Sequence, residues 1–494
     1  MPDQALSRGA LARYRFCRGG LAVAALAALF VFPAARVNAE PLREALVRAY
    51  EKNPLLNAQR SSVLAVSENI ERTKAGYRPR VTGAVDAGLL GEDYKAPPND
   101  MLATLSRAPR GASVEINQNL FDGYRTTNAV GQAKLQTLAA KAILKNTEQI
   151  TLFTAATAYL EVLTDHAILK IVRDNIDTLQ AQLSQAKGRH GFGDVTGTEV
   201  AQVQMRLAAA QAQASLAESN VKAGAANYRR VIGVAPSNVV PVRPLDELVP
   251  SSLEELETLA TRDHPAVVAA QHGVAVAERQ VNITRGELLP SLTVTGRLAQ
   301  RADVLVRGDR QLQSTVFGAI SVPIYEGGET YARLRQAKHT AAQRDLEASA
   351  VIDEMRSTAA AAWATLIAAK ERLASAELQV RSAETVRDGL REEWRMGDRS
   401  MRELLDAEQD VLLARINLAT TKRERVLASF SVVQSAGRLT MASLRRLELN
   451  TSDVAMRSSL RSHSGLGNFK LRLTSSCAGT CALPVERWRL RSGL

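Results

Sequence analysis

Two long stretches of this chain contain no proline, and their length limits the folds that the chain can adopt. The second stretch, residues 329–395, is 67 residues long and contains a single glycine, Gly389. It is rich in Ala, Leu, Arg, Glu and Gln, which lose little free energy on entering a helix. As one helix it would be about 100 Å long, several times the diameter of a small domain. The sequence therefore predicts a fold built around very long helices.

Each long stretch ends in a short glycine-containing turn, after which a second helix is predicted. The later stretch stops at Met396-Gly397-Asp398 and is followed by a helix at residues 400–438. The earlier stretch, residues 123–188, precedes Gly193-Asp194 and a helix at residues 196–230. We therefore predict two helical hairpins, one in each half of the chain.

Constant offsets between matching motifs indicate an internal duplication. Two pairs of prolines are 211 residues apart, Pro54 with Pro265 and Pro79 with Pro290. Further along, the offset is 204 residues, as between Gly193 and Gly397. We predict repeats at residues 40–232 and 253–441, joined by an irregular, proline-containing equatorial linker at residues 233–252. Each repeat is expected to contain a first helix (residues 42–75 or 253–287), two strands and a long helical hairpin.

Four segments alternate between apolar and polar residues, as strands with one apolar face do. They are residues 80–90, 113–121, 291–300 and 314–325. In the third segment Leu292, Val294 and Leu298 alternate with Thr293, Thr295 and Arg297. Alternation over about ten residues is typical of outer-membrane strands, which have a lipid face and a polar lumen face. For any single strand, a half-buried sheet in a soluble domain explains the pattern equally well.

The number of strands favours the membrane interpretation. After Ala39 no apolar run approaches the roughly 18–20 residues that a spanning helix needs. Four strands cannot close on themselves, and an open sheet edge cannot lie in lipid with its backbone groups unpaired. Strands that span a membrane would have to be pooled by several chains. The sequence therefore predicts an oligomer.

The two ends of the chain differ from its body. Residues 1–39 combine a positive head, an apolar core and small residues before Glu40, so a signal peptide cleaved between Ala39 and Glu40 is expected. Residues 442–494 form a basic tail that is predicted to be disordered, in which Cys477 and Cys481 either pair or remain free. The ends carry +4 and +6 of the formal net charge of +12, so the body is nearly neutral and nucleic acid is not an expected partner.

The turns between the paired helices carry the residues that identify a family. The segment from Trp394 to Glu408 resembles the second-repeat hairpin of the TolC-like outer-membrane efflux and type I secretion channels, and the segment from His190 to Val200 resembles its first-repeat counterpart. With the duplication and the strands, the resemblance covers roughly residues 40–440. It implies a homotrimer in outer-membrane lipid, mainly α-helical with membrane β-strands. Four strands per chain would form a twelve-stranded β-barrel, continuous with a long α-helical coiled-coil barrel in the periplasm.

The resemblance also implies partners and site residues. Members of this family dock onto a periplasmic adaptor protein and an inner-membrane ABC or proton-driven transporter, and they export drugs or proteins. The residues at the docking tips are Phe192, Gly193, Met396 and Gly397. The residues at the periplasmic gate or constriction are Glu403, Asp406, Arg399, Trp394, Glu199 and Thr198. Glu403 and Trp394 replace the Asp and Tyr that are usual in the family, so the detailed gate contacts are expected to differ.

Two of these acids have a second interpretation. Thr196-x-x-Glu199 and Ser400-x-x-Glu403 both fit a capping box, in which the hydroxyl and the carboxylate satisfy backbone N–H groups at a helix start. Asp406 lies one turn beyond Glu403, where the first repeat has Gln202. In a threefold assembly Glu403 and Asp406 would form two stacked acidic rings, which favour cations in a pore.

No sequence motif indicates catalysis or a cofactor. The chain contains neither HExxH nor GxSxG, and residues 191–197 lack the Lys-Ser/Thr ending of a phosphate-binding loop. Its six histidines show no metal-ligand spacing. The leading hypothesis is an export duct without enzymatic activity. The alternative is a periplasmic coiled-coil adaptor, a soluble protein with long helical hairpins.

Overall fold

A computed structural model describes residues 41–96, 101–304 and 307–444. The predicted signal peptide with its cleavage site at Ala39 and Glu40 lies outside the described residues, as do Cys477 and Cys481 and most of the predicted tail. The first half of the described chain contains α1 (Leu42–Lys52), α2 (Pro54–Lys74), β1 (Arg80–Ala87), β2 (Leu90–Ala96), β3 (Met101–Arg107), β4 (Arg110–Phe121), α3 (Arg125–Gly191) and α4 (Gly197–Ile232). The second half contains α5 (Leu253–Arg262), α6 (Pro265–Gly286), β5 (Ser291–Ala302), β6 (Arg310–Ser321), α7 (Glu329–Met396) and α8 (Met401–Ser435).

The two long helices dominate the architecture, as the sequence predicted. α3 has 67 residues and α7 has 68, so each is about 100 Å long. Two shorter helices pack along each of them, α2 and α4 along α3, and α6 and α8 along α7. The contacts of α3 with α6 and α8 join the two halves side by side. None of the described helices has an apolar stretch long enough to cross a bilayer.

The first helix of each half is divided in two, and the prediction of one continuous helix was wrong at both places. The breaks fall at Asn53-Pro54 and His264-Pro265, where proline forces the preceding residue into an extended conformation. Asn53 and His264 have ψ of 122° and 131°. The side chain of each accepts a backbone N–H of the helix that follows, which lets a new helix start at once.

A four-stranded antiparallel sheet caps one end of the helices, in the order β1-β4-β5-β6. The register places Val81 opposite Ile116, Val114 opposite Leu298, and Leu292 opposite Ile320. One face of the sheet is therefore apolar and the other polar, as the alternation predicted. The apolar face is uncovered in the single chain: Val85 is 86% exposed and Val316 78%.

The first half contains two more strands than predicted. The expected strand at residues 80–90 ends at Ala87, where the N–H of Gly88 donates to the carbonyl of Pro109. Beyond this point β2 and β3 form a separate two-stranded hairpin. Its strands carry glycine and charged residues, Gly91, Glu92 and Asp93 among them, so they lack the apolar alternation by which strands are recognised.

The linker between the halves packs on the middle of the helices. Apart from a 3₁₀ turn at Asp246–Leu248 it has no regular helix. The hydroxyl of Tyr159 donates to the carbonyl of Val240 at 3.0 Å and accepts its N–H at 2.8 Å. Tyr159 belongs to the largest buried cluster, which joins α1, α3, α4 and α8 around Tyr228 and Phe430. The linker is thereby fixed to the core of the helical body.

Candidate functional site

The two helical hairpins end together, at the opposite end of α3 and α7 from the sheet. Both turns use glycine at positive φ, +84° at Gly193 and +91° at Gly397, which a side chain would strain. The N–H of Asp194 donates to the carbonyl of Arg189, and the N–H of Asp398 to that of Glu393. These bonds satisfy carbonyls at the helix ends, as in a Schellman motif. The sequence similarity of the two tips thus reflects one shared backbone geometry.

Both predicted capping boxes are present. The N–H of Thr196 donates to Glu199 Oε2 at 3.0 Å, and the N–H of Glu199 donates back to Thr196 Oγ1 at 3.3 Å. The corresponding distances between Ser400 and Glu403 are 3.0 and 3.4 Å. The bond from the Ser400 backbone N–H is the main reason why the pKa of Glu403 lies below its usual value. Glu199 and Glu403 therefore start α4 and α8, whatever further role they have.

Arg399 is held between two carboxylates of its own hairpin. Its Nε donates to Glu393 Oε2 at 2.9 Å and its Nη1 donates to Glu403 Oε1 at 3.3 Å. These bonds, led by the one to Glu393, raise the pKa of Arg399. The guanidinium thus bridges the end of α7 and the start of α8.

Asp406 connects the two hairpins. Its Oδ1 accepts a hydrogen bond from Arg206 Nη2 of α4 at 2.5 Å, and Arg402 lies 3.9 Å from Oδ2. The Asp406 side chain is 51% exposed. Arg206 was not singled out from the sequence, because nothing in its local pattern indicates that α4 faces α8 at this level.

Trp394, which the resemblance places at the gate, is buried between the hairpins. Only 8% of it is accessible, and the Arg189 guanidinium lies 5.0 Å from the centre of its ring. It belongs to an apolar cluster formed by Leu179, Ala186, Val203, Ala210, Met401, Leu404 and Leu405. In the single chain, Trp394 therefore packs the four helices of the tip together.

The outermost apolar side chains of the tips belong to Phe192 and Met396. They are 87% and 70% exposed. Thr198 is also exposed, in the first turn of α4. Phe192 lines a shallow depression together with Gln185, Trp394 and Arg395. The end of the molecule thus presents apolar groups that no part of the described chain covers.

A buried polar contact above the tip was missed from the sequence. Glu408 of α8, 6% exposed, accepts hydrogen bonds from Arg391 Nη2 at 2.6 Å and from Gln182 Nε2 at 3.3 Å. It thereby joins α8 to both α7 and α3. The sequence did contain a signal, because Glu408 falls in the apolar stripe of Leu404, Leu405, Val411 and Leu412.

Comparison with known proteins gives one consistent result. The family model described as outer membrane efflux protein matches residues 45–234 and 257–438, one block in each half of the chain. The outer membrane efflux protein BepC of Brucella suis is 31% identical over 429 residues, covering 86% of this chain and 92% of the relative. The alkaline protease secretion protein AprF of Pseudomonas aeruginosa is 25% identical over 348 residues, covering 69% and 72%.

Solved structures with the same fold are outer membrane channels. The Campylobacter jejuni CmeC channel superposes with a TM-score of 0.71 at 15% identity, covering 82% of this chain and 88% of that one. The Neisseria gonorrhoeae MtrE channel in its open state gives 0.66 at 16% identity, covering 81% and 90%. The chain therefore belongs to the outer membrane efflux protein family, and it is a non-enzymatic outer-membrane channel with a periplasmic helical tunnel.

Proposed function

We propose that three copies of this chain assemble into one channel, with their sheets closed into a single cylinder of twelve strands. The supporting observation is the open sheet. Within the described residues, β1 and β6 each have a neighbour on one side only. An uncovered edge in lipid leaves backbone N–H and C=O groups unpaired, which costs several kcal/mol for each group.

The order of the strands suits such a closure. Because all neighbours in β1-β4-β5-β6 are antiparallel, β1 and β6 run in opposite directions. The β6 edge of one copy can therefore pair with the β1 edge of the next and continue the antiparallel pattern. The exposed apolar face, with Val85, Val316 and Ile320, would then face lipid all around the cylinder.

Disulfide crosslinking tests this closure. The native cysteines are replaced by serine, and Val85→Cys in β1 is combined in turn with Leu312→Cys, Val316→Cys or Ile320→Cys in β6. We expect at least one combination to give covalent trimers upon oxidation. In the control, Val114→Cys of β4 with Val316→Cys should give none, because β5 separates those strands. A monomer by light scattering, with no crosslinks in any combination, would contradict the proposal.

The trimer would serve as the exit duct of a tripartite efflux or type I secretion system. In this arrangement the tips dock onto a periplasmic adaptor, which connects them to an inner-membrane ABC or proton-driven transporter. The exposed Phe192 and Met396 support a docking role, since uncovered apolar side chains at the end of a protein are typical of interaction sites. Membership of the channel family favours this duct over the alternative of a periplasmic adaptor.

The docking role is tested by removing the exposed apolar groups without disturbing the turns. Phe192→Ser with Met396→Ser should abolish export by cells while the amount of trimer stays normal. The control is Leu413→Ser on α8, because Leu413 is also exposed, at 51%, but lies away from the tip. Normal export by the double variant would remove the tips from the docking role.

We propose that Glu403 and Asp406 form the constriction of the channel, and that their contributions to its negative charge are unequal. The Glu403 carboxylate is occupied by the capping box and by Arg399. Among the described residues Asp406 contacts Arg206 and Arg402, and half of its side chain is exposed. We place the main acidic contribution to the pore at Asp406, because its carboxylate, unlike that of Glu403, takes no part in a capping box.

A further inference from the structure

We propose that a cavity between α3, α8 and the linker binds an anionic amphiphile, a single alkyl chain with an anionic head group. The cavity has a volume of about 490 Å³, within the usual range of small-molecule sites. Its apolar wall is formed by Leu160, Leu163, Ile171, Leu418, Pro241 and Val242. All of these residues belong to one chain, so the apolar wall is formed without a contribution from a second copy.

The polar part of the lining is cationic. α8 contributes Arg415, Lys422, Arg423 and Arg425 within little more than three helical turns. An apolar wall with a cationic side matches a ligand that is apolar along its length and negatively charged at one end. A neutral apolar ligand would leave the cationic side without a partner.

Arg425 provides a second, independent observation. It is only 6% exposed, and its Nη2 donates to both carboxylate oxygens of Asp246, at 2.6 and 2.7 Å. Its Nη1 is buried and has no hydrogen-bond partner among the described residues, and the same holds for Nε of Arg423. A buried guanidinium N–H without an acceptor is destabilising. Both arginines line the cavity, so an anionic head group there would place an acceptor beside these side chains.

The neighbouring acids do not neutralise this group of cations completely. Glu384 pairs with Arg415, Asp246 pairs with Arg425, and Asp165 interacts electrostatically with Arg423. Lys422 forms no salt bridge within the described part of the chain. The lining itself contains four cationic side chains and no Asp or Glu, which favours an anion over a cation. It also disfavours the basic segment 442–494 as the occupant, since that segment carries +6.

Photolabelling of the full-length protein tests the site. The protein is placed in nanodiscs of zwitterionic lipid and exposed to a dodecanoate probe with a photoreactive group on its alkyl chain. We expect labelled peptides from residues 160–171 and 418–426. Unlabelled dodecanoate should compete, and dodecanol should not. Labelling elsewhere, or equal competition by dodecanol, would overturn the proposal. Competition by dodecyl phosphate that exceeds that by dodecanoate would assign the head group to the phosphate class, and the reverse to the carboxylate class.

Two matched variants, at Arg425 and Asp246, separate binding from structural support, and a third fills the cavity. Arg425→Met removes the cation and the contact with Asp246, and we expect at least tenfold weaker labelling. Asp246→Asn weakens the same contact but keeps the cation, so labelling should be retained. Ala419→Trp fills the cavity and should abolish labelling while trimers persist. An equal loss of labelling in Arg425→Met and Asp246→Asn would mean that Arg425 only supports the linker, and the proposed site would be refuted.

Discussion

The buried contact of Glu408 allows a quantitative prediction about the tunnel wall. Among the described residues, Arg391→Ala would leave the Glu408 carboxylate, whose side chain is 7% exposed, with the 3.3 Å hydrogen bond from Gln182 alone. Removing one partner of a fully buried ion pair costs about 3–5 kcal/mol, whereas exposed pairs contribute about 0–1 kcal/mol. The Arg391 side chain is 34% exposed, which places the pair between these limits. We expect a loss of about 2 kcal/mol.

Hydrogen exchange measures this loss locally, without unfolding the whole assembly. The lost free energy should appear as easier opening of α8 around Glu408 and of the facing turn of α7. Since about 1.4 kcal/mol corresponds to a factor of ten, amides in these segments should exchange roughly thirtyfold faster. Segments of α3 near the sheet should keep their rates. Mass spectrometry of peptides from the full-length protein resolves these regions.

Two further variants decide whether the buried charge is the cause. Arg395→Ala removes an arginine one turn along α7, whose pair with Glu392 is exposed on both sides, at 59% and 61%. It should accelerate exchange only a few-fold. Combining Arg391→Met with Glu408→Gln removes both charges and should restore most of the protection. Equal acceleration by Arg391→Ala and Arg395→Ala would refute the reasoning.

Two other predictions concern charge and pH. Asp406→Ala should lower cation selectivity in single-channel recordings, whereas Gln202→Ala, its counterpart in the first repeat, should not; unchanged selectivity in Asp406→Ala would count against the acidic constriction. His264 is buried, which lowers its pKa, and its Nδ1 accepts the N–H of Ala266. Protonation is therefore favoured in the unfolded chain, so stability should fall as the pH drops below about 6.5. His264→Asn, which matches Asn53, should remove this component of the pH dependence of thermal unfolding; an unchanged profile would show that His264 does not contribute to it.

The fold was predictable wherever local sequence determines local structure. Proline-free runs of good helix formers gave the long helices, and the spacing Ser400-x-x-Glu403 gave a capping box that the structure contains. The same local reasoning failed at Asn53-Pro54, because proline is tolerated in the first turn of a new helix as well as after the end of an old one. The duplication was visible because both halves need the same turns at the same places.

The contacts between elements were not predictable, because they depend on which helix faces become neighbours. Trp394 is next to the turn in sequence, but its burial is decided by α3 and α4, which precede it by some 200 residues. The pairing of Arg206 with Asp406 likewise requires α4 to lie beside α8. The spacing from Glu403 singled out Asp406, but Arg206 is an ordinary charged position on α4, which composition and periodicity do not distinguish from its neighbours.

The tip combines apolar contacts and ion pairs, which respond differently to ionic strength. Its centre is the apolar cluster around Trp394 and Leu404, which salt does not screen. Around this centre, Arg206 and Asp406 are 34% and 51% exposed, so their attraction weakens as ionic strength rises. The pair of Arg391 and Glu408 is more deeply placed and is screened much less. Among the described residues, the exposed pair is the salt bridge that joins α4 to α8 at this level, so rising ionic strength should loosen that link before it affects the packing of either hairpin.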